Sequence, residues 1–241
     1  GFGQALLDFI TELSGREKIP QILSISLGSL SAYSCDLLCK KAVEKGFELA
    51  KCNDFLQDQR QVCMFLSQDQ VKRINAAFQV LGSRGTTIFG SSGDGGSHFS
   101  FGPFSGGGEL GAALNDISCN YNMPVFPTTS PYVVSVGGTD WGGFFPSPTN
   151  KPEAWSGSGG GFSWQFDRPD YQVETIENYI QKMNSSSNFP SASSYNNVGR
   201  GYPDISMVGH NCPVLDGNEY EMVDGTSCST PLIAGIIAIL N

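Results

Sequence analysis

The chain has 241 residues, 39 % of them hydrophobic and 15 % charged, enough to bury one sizeable core in a mid-sized domain. Its formal charge of −9 and pI near 4.6 leave no basic stripe for a phosphate backbone, which excludes a nucleic-acid partner and suits an acidic working environment. The longest apolar run, Leu232 to Leu240, is interrupted by Gly235 and is about half of a bilayer span, so no membrane span is expected; the opening GFGQALLDF lacks the basic region of a signal peptide.

In chain order, Leu6, Leu7, Phe9, Ile10 and Leu13 recur at helical spacing, and Gly15 closes that first helix. Gln21 to Ser26 reads as a strand ending in Leu27-Gly28. A helix-rich stretch follows from about Ser31 to Gln79, with a break expected between Asn53 and Gln61. Thr86 to Phe89 is a second strand that runs into the turn GSSGDGG, and Tyr132 to Val136 is a third, ending in Gly137-Gly138. Gly142 to Gly161, rich in Gly, Pro and Ser, is loop; Arg168 to Met183 is helical; Asn184 to Asn197 is a polar loop. Thr226 to Asn241 is small and apolar throughout and reads as a buried helix. Strands separated by helices imply a parallel sheet, whose ligand site lies beyond the carboxyl ends of its strands.

Seven cysteines without a CxxC pair favour disulfides. Cys35, Cys39, Cys52 and Cys63 cluster where they could staple a helical hairpin; buried free thiols are the alternative, and zinc is disfavoured because no histidine lies near. Four cysteines allow three pairings, of which the nested Cys35–Cys63 and Cys39–Cys52 suits antiparallel helices. Cys228 is expected to stay a free thiol. Asn184-Ser185-Ser186 is a glycosylation sequon, and with the cysteines it points to the secretory pathway.

The segment with the most chemical content is Asp224-Gly225-Thr226-Ser227-Cys228-Ser229-Thr230-Pro231, followed at once by the apolar helix. A serine at a helix N-terminus can hold its hydroxyl beside free backbone N–H groups that stabilise an oxyanion, although an ordinary Ser/Thr cap looks similar.

GTSCSTP resembles the nucleophile motif G-T-S-x-S/A-x-P of subtilisin-fold peptidases, and other strand ends match the rest of that site in order. Ser24 to Gly28 is similar to the substrate-lining strand, making Ser26, Leu27 and Gly28 candidate substrate contacts. Ser91-Ser92-Gly93-Asp94-Gly95 is similar to the oxyanion turn, where Ser92 and Gly93 would also line the substrate. Asp rather than Asn at position 94 is the sedolisin (serine-carboxyl peptidase, tripeptidyl-peptidase-like) form. FPTTSPYV at 126–133, VGGT at 136–139, SGGGFS at 158–163 and GRGYPD at 199–204 resemble the same family.

The resemblance implies a three-layer α/β subtilisin-like fold with a mostly parallel central sheet, partial at both ends. It makes residues 1–241 one catalytic domain with a helical Cys-rich insertion over 31–66. It further implies hydrolysis of peptide bonds at acid pH, with Ser227 as nucleophile and Asp94, protonated, as oxyanion donor. The chain fits a carboxylate base better than a histidine: residues 1–97 contain no histidine, and His98 and His210 read as polar loop residues. Sedolisins supply that base from E-x-x-x-D on one helix, expected upstream of Gly1; Asp8 and Glu12 have the spacing but the wrong place in the order. Calcium is expected from the family, with ligands downstream of Asn241 and none in this chain. The implied partners are a peptide or protein substrate and the rest of a precursor, comprising a base-bearing segment, a prosegment and a calcium segment. An extracellular or acidic lysosome-like compartment would suit them. The alternative is a catalytically inactive peptide-binding or structural module, and endopeptidase versus tripeptidyl-peptidase action stays open.

Overall fold

The computed structural model describes residues 1–58, 62–64, 66–99, 107–142, 151–184, 186 and 189–241. Three strands set the frame: β1 (Ile22–Ile25), β3 (Thr87–Ser91) and β5 (Val134–Asp140), parallel neighbours in that order. The short β2 (Ser29–Leu30) and β4 (Val125–Phe126) pair antiparallel beside them. Strand β6 (Glu153–Ala154) lies antiparallel to the end of β5. An antiparallel pair, β7 (Gly161–Asp167) and β8 (Gly199–Tyr202), leads into β9 (Ile205–Val208), which runs parallel to β5 from Val136↔Ile205 to Thr139↔Val208. The hairpin β10 (Cys212–Asp216) and β11 (Glu219–Val223) follows, turned by Gly217 with φ +61°, the backbone sign that a two-residue hairpin turn needs.

Alternation along β3 separates the layers. Ile88 joins the core made by α1 (Phe2–Gly15) and α4 (Gln68–Ser83), with Leu6, Ile10, Ile74 and Phe78, whereas its neighbour Phe89 packs with Val136 and Ala234 under α7 (Thr226–Leu240). A capping box fixes the start of α4: the Ser67 side chain accepts from Gln70 N, and the Gln70 side chain accepts from Ser67 N.

Two expectations need correction. The helical stretch is interrupted twice among the described residues, at 45–48 between α2 (Ala32–Glu44) and α3 (Leu49–Asp58) and at 62–64 and 66–67 before α4; the expected break begins late, because α3 carries on through Asn53 with Cys52 and Leu56 burying one stripe of it. Nor is α7 a buried helix: Leu232, Ile236, Ile239 and Leu240 are 41, 42, 85 and 76 % exposed. The sheet covers one stripe of the helix, and an all-round apolar sequence does not bring a second layer with it.

The cysteine-rich segment leaves the sheet after Leu30 and returns to it, with Leu30 N donating to Val62 O (2.8 Å) and Met64 N to Leu30 O (3.0 Å). Disulfides Cys35–Cys63 and Cys39–Cys52 close it, and α2 also packs on α5 (Gly108–Asn120). The expected loop at 142–161 lies partly outside the described residues. Asn184 is exposed where α6 (Val173–Met183) ends, and its sequon neighbour Ser185 also lies outside them.

GRGYPD locks β9 to β5. Arg200 is wholly buried, its guanidinium 2.5 Å from Asp204 Oδ2 and donating to the carbonyls of Val133 (2.8 Å) and Gly201 (2.7 Å). Asp204 in turn accepts Ser135 N (2.7 Å) and Gln172 Nε2 (3.0 Å). A buried cation is tolerable only when so paired, and the pairing fixes the register of the strand that leads to the serine turn.

Candidate active site

The carboxyl ends of β1, β3 and β9 and the start of α7 meet at one place, as expected of a parallel sheet. Ser227, exposed in the first turn of α7, donates its hydroxyl to Ser26 O (3.2 Å), and Ser26 Oγ donates back to Ser227 O (3.3 Å). That reciprocal pair has a covalent cause. Residue 231 is Pro, so the i+4 donor that would cap the Ser227 carbonyl in a regular helix does not exist, and the Ser26 hydroxyl takes its place.

Asp94 reaches the same turn through Thr226. Its Oδ1 accepts Thr226 N (2.7 Å) and lies 2.9 Å from Thr226 Oγ1, which itself accepts Gly93 N (3.1 Å). The carboxyl oxygen Oδ1 thus satisfies one of the orphan N–H groups at a helix N-terminus. Oδ2 points towards Gly225: a Cβ there would lie 3.4 Å from it, so the missing side chain keeps that oxygen open. The hydroxyl of Ser227 therefore faces Ser26, while the hydrogen bonds of Asp94 go to the neighbouring threonine.

Of the other residues singled out in the sequence, Leu27 is 66 % exposed beyond β1, and Gly28 lies so close to Val125 that a Cβ would sit 2.3 Å from its side chain. Ser92 is buried, its N donating to Val136 O (2.9 Å). Gly93, at φ +104°, takes a conformation costly for any other residue. His98 and His210 make no hydrogen bond to Ser227; His210 Nδ1 lies 2.8 Å from Asp224 Oδ1, off line for a good hydrogen bond.

Sequence reasoning missed two supports. SGGG braces the turn that carries Asp94: Gly159 N donates to Gly93 O (2.7 Å), Gly96 N to Gly157 O (3.0 Å), and a Cβ on Gly159 would fall 2.0 Å from Ser92 O. Three consecutive glycines were the available signal. Cys228, expected as a free thiol, is bonded to Cys212, because the chain after β9 turns over the first turn of α7. Its signal was arithmetic, since three cysteines remain outside the insertion; Cys119 is the one left free.

A cavity of about 830 Å³ lies beyond Ser158 and Gly160, walled by Phe162, Tyr179, Phe189 and Tyr195, and includes neither Asp94 nor Ser227. Burial pushes the hydroxyl of Tyr202 on its lining up from the usual tyrosine range. Among the described residues no group of three or more His, Cys, Asp or Glu side chains lies close enough together to hold a metal ion. No helix among them is long and apolar enough to cross a membrane.

Fold and site together define a subtilisin-like α/β protein with a serine at the head of the helix behind its parallel strands. The chain belongs to the subtilase family, whose model (Peptidase_S8) matches residues 8–241. It is 35 % identical over 181 residues to tripeptidyl-peptidase 1 of Rattus norvegicus, covering 73 % of this chain and 28 % of that protein. To tripeptidyl-peptidase 1 of Dictyostelium discoideum it is 30 % identical over 241 residues, 99 % of this chain and 30 % of that one. To physarolisin of Physarum polycephalum it is 33 % identical over 198 residues, covering 73 and 32 %. The chain thus spans less than a third of the length of these relatives. Its fold is similar to Pseudomonas sedolisin, a serine-carboxyl proteinase solved in complex with pseudo-iodotyrostatin, with a TM-score of 0.56 at 18 % identity over 99 % of this chain and 50 % of that one.

Proposed function

We propose that this chain carries the nucleophile, the oxyanion acid and the substrate strand of a sedolisin-type serine peptidase acting on peptides at acid pH. The observation that carries the reading is the convergence of β1, the oxyanion turn and α7, in which Asp94 holds the backbone N–H of the residue next to Ser227 at 2.7 Å. Ser227 Oγ attacks the peptide carbonyl carbon, and its proton passes to a carboxylate base supplied by residues other than those described. Asp94, as a carboxylic acid anchored through Oδ1, donates from Oδ2 to the oxyanion. Collapse releases the amine with its proton, and water then hydrolyses the acyl-enzyme. The Ser26, Leu27 and Gly28 backbone at the end of β1 offers an edge to an extended substrate.

Calcium would be held by residues of the whole protein rather than by this set. The disulfides fit an oxidising compartment, and the acid-requiring Asp94 fits an acidic one such as a lysosome-like organelle; Asn184 is exposed as a glycan acceptor must be. The cysteine-rich unit over 31–66 is read as an insertion, and tripeptidyl-peptidase action is the reading that the names of the relatives favour. The alternative is a non-catalytic peptide-binding or structural module that keeps the fold and the serine turn without the chemistry.

A serine-directed fluorophosphonate, applied near pH 4 to the full-length protein, separates the two. Labelling at Ser227 is expected, lost in Ser227→Ala, reduced on the order of 10²-fold or more in Asp94→Ala and less in Asp94→Asn. No labelling at any acid pH would leave the non-catalytic module as the function.

A further inference from the structure

The nucleophile turn is tied to a single segment, Met207 to Cys212, at the end of β9. Asp224 Oδ1 accepts Asn211 N (2.8 Å), Gly225 N donates to Gly209 O (2.8 Å), Cys228 is bonded to Cys212, and Ser229 Oγ donates to the carbonyl of Met207 (3.2 Å) or Val208 (3.0 Å). The two residues between these ties, Thr226 and Ser227, instead face the oxyanion turn and β1. The supporting segment is itself rigidly held. Gly209 N donates to Thr139 O (3.0 Å) on β5, and a Cβ on Gly209 would lie 2.7 Å from Ser229 Oγ and 2.8 Å from Gly138 Cα. Asn211 adopts φ +54°, a conformation uncommon for a residue with a side chain, and the ties on both sides of it enforce it.

The hairpin from Pro213 to Met222, which links the supporting segment to the nucleophile turn, contributes little to this hold. Every residue from Pro213 to Met222 is exposed, and a two-stranded hairpin on its own is marginal in water. Without the covalent link, the first turn of α7 would rest on hydrogen bonds of which several are open to water. Cys228 is also the one disulfide cysteine that is not buried, whereas Cys35, Cys39, Cys52, Cys63 and Cys212 all are.

We infer that the segment 207–212 is the positioning element for Ser227, and that its Cys212–Cys228 bond makes the placement of the nucleophile depend on redox state. The catalytic part of this inference rests on the peptidase reading; the mechanical part does not. A water-soluble phosphine opens the bond at acid pH with a closed balance: the S–S bond breaks, phosphorus takes an oxygen from water and is oxidised to phosphine oxide, and both sulfurs leave as thiols carrying the protons of that water.

The test uses the full-length protein in three forms: wild type, Cys212→Ser/Cys228→Ser, and Cys35→Ser/Cys63→Ser as a control lacking a remote disulfide. Amide hydrogen exchange at residues 226–230 reads the mechanical part, and the rate of fluorophosphonate labelling at Ser227 reads the catalytic one. Loss of Cys212–Cys228 is expected to speed exchange there and to slow labelling by about 10- to 10²-fold, the range for a reacting group misplaced by about 1 Å, while the control changes neither. If the Cys212→Ser/Cys228→Ser variant fails to fold, the same readouts on phosphine-treated wild type, with the opened bond identified by peptide mapping, replace it. Unchanged exchange and labelling with Cys212–Cys228 open would overturn the inference. Faster exchange in a protein that never labels would uphold the tether and reject the peptidase reading.

Discussion

Thr226→Val isolates the contact that joins the Asp94 turn to the start of α7. The threonine is wholly buried, and valine keeps its shape while removing the hydroxyl that accepts Gly93 N at 3.1 Å and lies 2.9 Å from Asp94 Oδ1. Gly93 N–H is then left without its acceptor, whereas Asp94 keeps Thr226 N, so one half-buried donor is orphaned. The expected cost is about 2 kcal/mol, within the ~1–3 kcal/mol of an unsatisfied buried donor. For a chain of this size that is a fall of about 4–8 °C in Tm. Thermal unfolding followed by circular dichroism on the full-length protein measures it, and the rate of Ser227 labelling should fall with it, since the same contact aims Asp94. Thr226→Ser restores the hydroxyl and should recover most of both. A Tm unchanged in Thr226→Val, or a serine variant no better than valine, would refute the assignment of this hydroxyl as the link.

Gly159→Ala should act on the Asp94 turn from its other side. The added methyl would sit 2.0 Å from Ser92 O, so the backbone has to shift, at a cost of about 1–3 kcal/mol as in other overpacked sites, and Ser227 labelling should slow even where the variant stays folded. Labelling at the wild-type rate would show that SGGG is not a brace. Asp36, in the cysteine-rich segment, carries a pH signature, because burial raises its carboxyl above the ordinary value. A folded pKa above the unfolded one gives a contribution fully present below the unfolded value, near 4, and lost as pH rises through the folded one. Asp36→Asn should therefore raise Tm at about pH 7 more than at about pH 4, modestly, since the side chain keeps much of its surface in water. An equal change at the two pH values would refute it.

What the sequence by itself determined was local. The spacing of Leu6, Ile10 and Leu13 defined α1, the run into GSSGDGG defined β3 and its turn, and the sheet was foreseeable as parallel because helices separate the first strands. The nested pairing of the four clustered cysteines followed from helices that double back, because such pairing depends on order along two short elements. Of the later strands only β9, the run before His210, was legible; β7 and β8 were not seen, because GFSWQFD and GRGY are rich in glycine or polar residues and become strands only by pairing with each other across more than thirty residues of chain. The hairpin turn at Asp216-Gly217 was readable as a signal, but its exposed strands lack the alternation that marks a half-buried sheet. Only the tertiary structure decided where the two site motifs meet. That Asp94 takes the N–H of Thr226, that Ser26 stands in for the donor Pro231 cannot supply, and that Cys212 lies over Cys228 are contacts across 132, 201 and 16 residues. No local pattern encodes such distances. They are set by the register of β9 on β5, which a buried Arg200–Asp204 pair holds in place.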